Sequence, residues 1–352
     1  MHHGAYSPLK VFHHQDRLEA IREGKRPQLI HIHLVPTNRC NQQCSFCAYR
    51  SHGYSSSEDF YPRDEIPTEK LWEIVKDCKR LGVKAVEITG GGEPTLHPEF
   101  PALCKRLKGS GIDYGVVTNG TKAGEPEVKA ALLEAQWIRL SIDAGTPSTY
   151  AKTRKSAAFD SVRQNLCGLV TSRVGAFPLI GAGFVVTRDN WKEILAAAEN
   201  AREDGADNLR ISAVFQNQGA AYFRSFHREA SELSRRATGL SNGDFTVFNL
   251  FGERIEDLEQ RSPKDPYCHI QHLITFLGAD QNLYRCCVVS YNARGLLGSI
   301  KNQSLYDLWT SKGLGDSLYS FDARRCPRCM FNRKNQTIAY AINPEPTHVN
   351  FL

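Results

Sequence analysis

From residue 29 onward, short apolar runs alternate with longer stretches in which apolar residues recur every three or four positions. The short runs are rich in β-branched residues and predict strands; the longer stretches predict amphipathic helices. The first run covers residues 29–35 and is ended by Pro36, so a loop follows it. Leu71, Ile74, Val75, Cys78 and Leu81 then share one helical face, and Thr68 is placed to cap that helix. Further strands are expected at 84–89, 114–117, 137–143, 180–186 and 208–214. Helices are expected near 98–109, 127–135, 161–171 and 191–204. Cys78, Cys104 and Cys167 fall in the helical stretches, where free cysteine packs as a small hydrophobe, so all three are assigned to the core. Strands alternating with helices argue for a parallel sheet with helices outside. Right-handed crossovers would curl such a sheet into part of a barrel. Residues 1–28 hold one short helix, around 15–22, expected to pack across one end of the barrel. Residues 219–240 predict an exposed helix whose charged face is solvated, and 51–58 a polar loop.

The 352 residues suffice for one large domain and a small one. With 41% hydrophobic and 23% charged residues, the chain falls among folded globular proteins rather than disordered ones. No apolar run approaches the ~18 residues of a membrane span. The first residues lack the apolar core of a signal peptide, so a cytoplasmic location is expected. In that reducing setting eleven cysteines point to metal binding or free thiols rather than disulfides. A net charge of +6 permits an anionic partner, such as a nucleotide or nucleic acid, without requiring one.

Cysteine spacing carries the chemistry. Cys40, Cys44 and Cys47 sit in the loop after the first strand. Three thiolates can hold a 4Fe–4S cluster and leave one iron open; zinc also favours clustered cysteines. Gly90, Gly91 and Gly92 follow the second strand, where glycine lets backbone approach a ligand and leaves amides free to bind it. Thr118, Asn119, Ser141, Asp143, Thr187 and Arg210 are expected at the C-terminal ends of later strands, where barrels carry their chemistry. The alternative is that the polar residues cap loops and that Arg210 forms a structural salt bridge rather than gripping a carboxylate. In the tail, Cys268 precedes two apolar runs, 273–277 and 283–284, joined by turn residues, a predicted hairpin. Cys286 and Cys287 follow it, a helix starts at Leu305, and Cys326-Pro-Arg-Cys329 completes the set.

The C-x-x-x-C-x-x-C spacing, with Phe46 before its third cysteine and Gly91-Gly92-Glu93-Pro94 after the next strand, resembles the radical S-adenosylmethionine (SAM) enzymes. The resemblance implies a partial (β/α)6 TIM-type barrel with a small C-terminal α+β iron–sulfur extension. It implies a 4Fe–4S cluster on Cys40, Cys44 and Cys47, with SAM chelating the open iron through its amino and carboxylate groups. An external flavodoxin- or ferredoxin-like donor would supply the electron that cleaves SAM to a hydrogen-abstracting 5′-deoxyadenosyl radical. Phe46 would lie near the adenine, and the backbone of Gly91, Gly92, Glu93 and Pro94 would hold the amino group. Ser141, with Thr118, Asn119, Asp143 and Arg210, would reach the carboxylate and ribose. The tail resembles the SPASM/Twitch extension of the same family. It implies a second 4Fe–4S auxiliary cluster on Cys268, Cys286, Cys326 and Cys329, with Cys287 an alternative to Cys286 and zinc an alternative to the cluster. Gln281 stands where that hairpin often carries glycine. No cysteine follows Cys329, so one auxiliary cluster is expected.

The domains implied are an N-terminal segment packing on the barrel (1–28), the barrel (29–218), a helical bridge (219–264) and the auxiliary-cluster domain (265–352). Segments 7–14, 47–50 and 206–214 are similar to radical SAM proteins carried by bacteriophages, some of them implicated in remodelling modified thymine bases. With the positive charge, this favours a nucleotide or DNA-base substrate. A peptide-modifying maturase, a small-molecule enzyme and a non-catalytic zinc or nucleic-acid-binding module stay open. No catalytic acid, base or hydrogen donor is assigned, because that role depends on the substrate's pose.

Overall fold

A computed structural model describes residues 4–51, 58–260, 262–343 and 347. Most of the polar tract at 51–58 lies outside the described residues. Ten strands form one sheet: β1 His31–Leu34, β2 Ala85–Ile88, β3 Asp113–Thr118, β4 Trp137–Ser141, β5 Leu179–Val186, β6 Asn208–Ala213, β7 Thr246–Asn249, β8 Ile274–Leu277, β9 Asn282–Tyr284 and β10 Leu296–Ser299. Their order is β10-β9-β8-β1-β2-β3-β4-β5-β6-β7. All neighbours from β8 through β1 to β7 are parallel. Among the described strands, the β8–β9–β10 meander alone is antiparallel. The fold is α/β, with a mostly parallel sheet and crossover helices of a partial TIM-type barrel.

The helix-facing positions of the strands are apolar and dry. Ile32, Leu34, Val86, Ile88, Ile138 and Leu140 are all at most 1% exposed. Burying each such side chain is worth about 1.5–3 kcal/mol. Tyr114 marks this side of β3, since its hydroxyl donates to the Ala131 carbonyl in the helix Pro126–Leu133 at 2.7 Å. The alternate positions face the concave interior and are often polar: His31, His33, Glu87, Arg139 and Arg210. Parallel strands covered on both faces usually read as continuous apolar runs. These alternate because their second face lines a cavity.

Several elements differ from expectation. The segment 219–264, expected to be helical throughout, also carries β7, which adds a seventh parallel strand beside β6. Four residues, Thr246–Asn249, are too few to show a period. Its helix His227–Thr238 is not freely solvated, because Ala230, Ser234 and Ala237 are buried. The helix Pro147–Arg154 was not expected at all. Cys78 and Cys104 are core residues at 1% exposure, but Cys167 is only half-buried and lies outside the core. It sits where the helix Phe159–Ser172 turns toward Arg163 and Asp204 at the surface. In the hairpin, Gln281 takes a left-handed φ of 61°, so it adopts the conformation a glycine would supply.

Candidate active site

The loops after β1, β2 and β3 meet at the C-terminal edge of the sheet. The Gly92 amide donates to the Thr37 carbonyl at 3.1 Å, and the Glu93 amide to the Arg39 carbonyl at 2.8 Å. The glycine loop therefore lies against the backbone that leads into Cys40. A Cβ on Gly91 would sit 2.1 Å from Asn38 Oδ1, and one on Gly92 2.0 Å from the Arg39 carbonyl oxygen. Asn38 is fixed in turn: its amide nitrogen donates to the Tyr61 carbonyl, and its Oδ1 accepts from the Tyr291 hydroxyl at 2.7 Å. The C-terminal extension thus reaches across to brace the cysteine loop.

Glu93 is 3% exposed and works as a clamp. Its Oε1 accepts from the hydroxyls of Thr95 and Thr118 at 2.7 and 2.6 Å, and its Oε2 from the Asn119 amide at 2.6 Å. Burial pushes this carboxyl upward, and the four donors oppose that shift. The Asn119 side chain donates to Asn41, between Cys40 and Cys44, at 2.7 Å. Glu93, Thr118 and Asn119 are therefore brought together, and they spend their polar groups on one another. Pro94 opens the short 3-10 turn that Glu93 caps.

A second group surrounds Cys44. Arg154, at the end of the helix Pro147–Arg154, places Nη1 3.1 Å from Cys44 Sγ and pairs with Asp143 at 3.2 Å. Its Nη2 also donates to the Ser141 carbonyl, and its guanidinium lies 5.9 Å from the Phe46 ring centre. Asp143 has a left-handed φ of 57°, which turns its carboxylate onto Arg154 and onto the Val185 amide, 2.6 Å away. Among the described residues the Ser141 hydroxyl has no hydrogen-bond partner, so it is free for a ligand. Thr187 is occupied with Asn190. Arg210 is not at a strand end: it is the third residue of β6 and points into the interior, two residues below Ser212.

Burial pushes the Cys40 thiol up to about 11, against the pull of the Gln42 amide 3.5 Å from its sulfur. Burial raises Cys47 as well, and Cys44 lies close enough to raise both. In the tail, Cys268, Cys286, Cys326 and Cys329 pack around one apolar cluster with Ile270, Val288 and Phe331. Burial raises all four thiols, Cys326 and Cys329 to about 12, and proximity to Cys286 adds to the rise at Cys268, Cys326 and Cys329. Cys287 borders the same cluster but also has neighbours of its own. Its Sγ lies 3.8 Å from Met330 Sδ, and it also packs on the aromatic group of Tyr49, Phe60 and Tyr291. Consecutive residues of extended chain point in opposite directions, which separates the two neighbours.

The family model described as the radical SAM superfamily matches residues 34–166. The chain carries a radical SAM domain. A probable GTP 3′,8-cyclase of Metallosphaera sedula is 27% identical over 210 residues, which span 58% of this chain and 62% of that protein, under two thirds of its length. The tungsten-containing aldehyde ferredoxin oxidoreductase cofactor-modifying protein of Pyrococcus furiosus is 27% identical over 306 residues, 80% of this chain and 81% of that one. The structure of Streptococcus suis SuiB bound to S-adenosylmethionine superposes with a TM-score of 0.65 at 15% identity, covering 90% of this chain and 74% of that one. At that identity the likeness is one of fold. The cofactors of a radical SAM domain are a 4Fe–4S cluster and SAM.

The radical SAM loop offers what such a group needs. Three neighbouring thiols stand on one loop, with backbone and guanidinium donors aimed at two of the sulfurs. Thiols raised by burial become thiolates on binding a metal, because the metal charge replaces the proton. Donors of this kind set the potential of an iron–sulfur centre. Sequence reasoning missed Arg154, Asn38 and Asn41. Thr146 followed by Pro147, an N-cap and a first-turn proline, was the available signal for the helix that delivers Arg154.

Proposed function

We propose that this chain is a radical SAM enzyme that reductively cleaves S-adenosylmethionine and abstracts hydrogen from a nucleotide or DNA-base substrate. Cys40, Cys44 and Cys47 would hold the catalytic cluster, and Cys268, Cys286, Cys326 and Cys329 the auxiliary one. When bound, the cluster and SAM supply the electron and the 5′-deoxyadenosyl radical. The chain's own residues do the positioning. Gly91 and Gly92 let the loop backbone close on the cysteine loop, Arg154 sets the charge beside Cys44, Phe46 lies beside that guanidinium, and the Ser141 hydroxyl is free to accept or donate. Glu93, Thr118 and Asn119 hold that arrangement rigid.

The observation that carries this reading is the clamp on the cysteine loop, with glycine backbone on one side and the Arg154 guanidinium on the other. The nucleotide half of the proposal is supported by the name of the Metallosphaera relative and by the excess of cationic side chains inside the barrel. Reduction by a flavodoxin- or ferredoxin-like donor in the cytoplasm fits a chain whose eleven cysteines are all unpaired.

The test is anaerobic reconstitution, iron and sulfide quantification, and reduction in the presence of SAM. Roughly eight irons per chain, from two four-iron clusters, with formation of 5′-deoxyadenosine and methionine, are expected. Cys44→Ala is expected to abolish 5′-deoxyadenosine formation and keep the tail iron. Bound zinc without SAM cleavage, or a Cys44→Ala variant that still cleaves SAM, overturns the proposal. Screening GTP, other nucleotides, DNA and peptides for faster 5′-deoxyadenosine formation then identifies the substrate class.

A further inference from the structure

Beneath the cysteine loop, the interior of the sheet encloses a cavity of about 580 Å³. That lies within the ~300–1,000 Å³ range of small-molecule sites. Gly115 of β3, Trp137 of β4 and Asn208 of β6 line it, and Gly181 of β5 lies between the last two in the sheet. A Cβ at Gly115 and at Gly181 would meet the side chains of Trp137 and Asn208 at 2.1 and 2.3 Å. The N-terminal segment, through Tyr6 and Lys10, and the helix Asn332–Ile342, through Lys334, cover the end opposite the cysteine loop.

The charges around this cavity do not balance. Arg139 points into it from β4, Lys10 and Lys334 reach it from the two ends of the chain, and Arg210 of β6 stands beside it against the Tyr6 ring that lines it. Two carboxylates line it: Glu87, beside His31 and His33, and Asp113, at the exposed start of β3, which accepts from the Gln136 side chain at 2.9 Å. Arg139 donates only a long 3.4 Å hydrogen bond to the Tyr6 hydroxyl. Among the described residues Arg210 has no hydrogen bond or ion pair; its Nε is buried without a partner, and it lies 5.3 Å from the Tyr6 ring centre. Burial, then Arg139, pushes Arg210 down to about 10, and burial, then Lys10, lowers Lys334. Unpaired cations under low-dielectric walls are costly and are retained where an anion completes them.

We infer that this cavity binds the phosphate chain of a free nucleotide through Arg139, Arg210, Lys334 and Lys10. The anion class follows from four cations set against two carboxylates, one of them exposed; the nucleotide rests on the preceding proposal. Arg139 and Arg210 stand two residues, ~7 Å, below Ser141 and Ser212. The phosphates therefore lie deep in the barrel. The imidazoles of His31 and His33 and the Glu87 carboxylate place one donor atom each within 4.8 Å of one another, a triad whose competing occupant is a divalent cation. The surrounding cations oppose it.

Calorimetric titration of the reconstituted full chain with pyrophosphate, GTP, guanosine and duplex DNA tests the inference. One pyrophosphate per chain is expected, with Arg210→Met and Lys334→Met each weakening it about tenfold, equal to about 1.4 kcal/mol. Arg210→Lys is expected to retain most of the affinity, and circular dichroism and iron content check that the variants fold. GTP is expected to bind at least about tenfold tighter than guanosine, the same 1.4 kcal/mol step. Absence of pyrophosphate binding, or binding unchanged in both Met variants, overturns the inference. So does zinc retained by the wild type and lost in His33→Ala, which assigns the cavity to a cation. Duplex DNA displacing pyrophosphate as well as GTP does overturns the free-nucleotide assignment. SAM cleavage by the wild type without nucleotide is measured in parallel. Cleavage without anion binding sinks only this inference; anion binding without cleavage sinks only the proposed activity.

Discussion

Arg154→Met removes one side chain from the centre of the cysteine-loop group and leaves a charge behind. Arg154 is 6% exposed and Asp143 1%, so water does not compensate for the loss. With the guanidinium gone, the Asp143 carboxylate keeps the Val185 amide at 2.6 Å and no counter-charge on that side. Breaking one partner out of a buried pair costs about 3–5 kcal/mol. At about 2.1 cal/mol/K of unfolding entropy per residue, spread over 352 residues, a 4 kcal/mol loss lowers the melting temperature by about 5 °C. Asp143→Asn in the same chain removes the stranded charge, so the double variant should recover a large part of that loss. Denaturant unfolding of the four proteins of the cycle measures the coupling, expected at 1.5 kcal/mol or more, within the ~0.5–3 kcal/mol span of contacting residues. A redox titration gives an independent readout. Removing a cation 3.1 Å from Cys44 Sγ disfavours the more negative reduced cluster, so the midpoint potential moves down. A melting temperature within about 1 °C of wild type, on the same per-residue entropy scale, would falsify the charge-pair account, as would coupling below about 0.5 kcal/mol.

Gly92→Ala is expected to cost about 1–3 kcal/mol, because its Cβ meets backbone rather than a movable side chain. SAM affinity by equilibrium dialysis should fall with it. Gly109→Ala, at a helix end with nothing within 4 Å, should instead raise stability by about 0.5–1 kcal/mol. Equal effects in the two variants would remove the close-approach explanation. Cys329→Ala should lower bound iron from roughly eight to roughly four per chain while Cys287→Ala leaves it unchanged; loss of iron in Cys287→Ala would exchange the assigned ligand. His272 is 4% exposed and pushed down to about 4 by burial, then by His269 and Arg285. The unfolded chain takes up this proton near pH 6.5 and the folded one near 4, so its contribution is present above pH 6.5 and is lost as pH falls toward 4, at up to about 1.4 kcal/mol per pH unit. His272→Phe should flatten the acid side of the stability profile measured by denaturant midpoints; an unchanged slope would show that the imidazole is already charged in the folded protein.

The alternation of helices and strands was legible because apolar period is a local property, and every predicted strand of the barrel lies within two residues of an observed one. The elements left unread were short or lacked a period: β7 with four residues, β10 with a register shift, and the helix Pro147–Arg154, whose apolar stripe is weak. One further signal was present and unread. The strands His-Ile-His-Leu, Ala-Val-Glu-Ile and Trp-Ile-Arg-Leu-Ser alternate in polarity, where doubly covered parallel strands would be apolar throughout. That alternation announces a polar interior.

By itself the sequence determined the chemistry of the ligands and the order of the elements. The C-x-x-x-C-x-x-C loop, the glycine run and the C-x-x-C tail are short stretches whose function needs only neighbours along the chain. Tertiary structure decided what each polar group is spent on. Glu93, Thr118 and Asn119 bond one another, Asp143 is taken by Arg154, and Arg154 meets a cysteine 110 residues away. Sheet register put Arg139 into the cavity and Arg210 beside it, and the two ends of the chain added Lys10 and Lys334. Such pairings depend on which strands lie side by side and on which face each residue turns, and no local pattern carries that information.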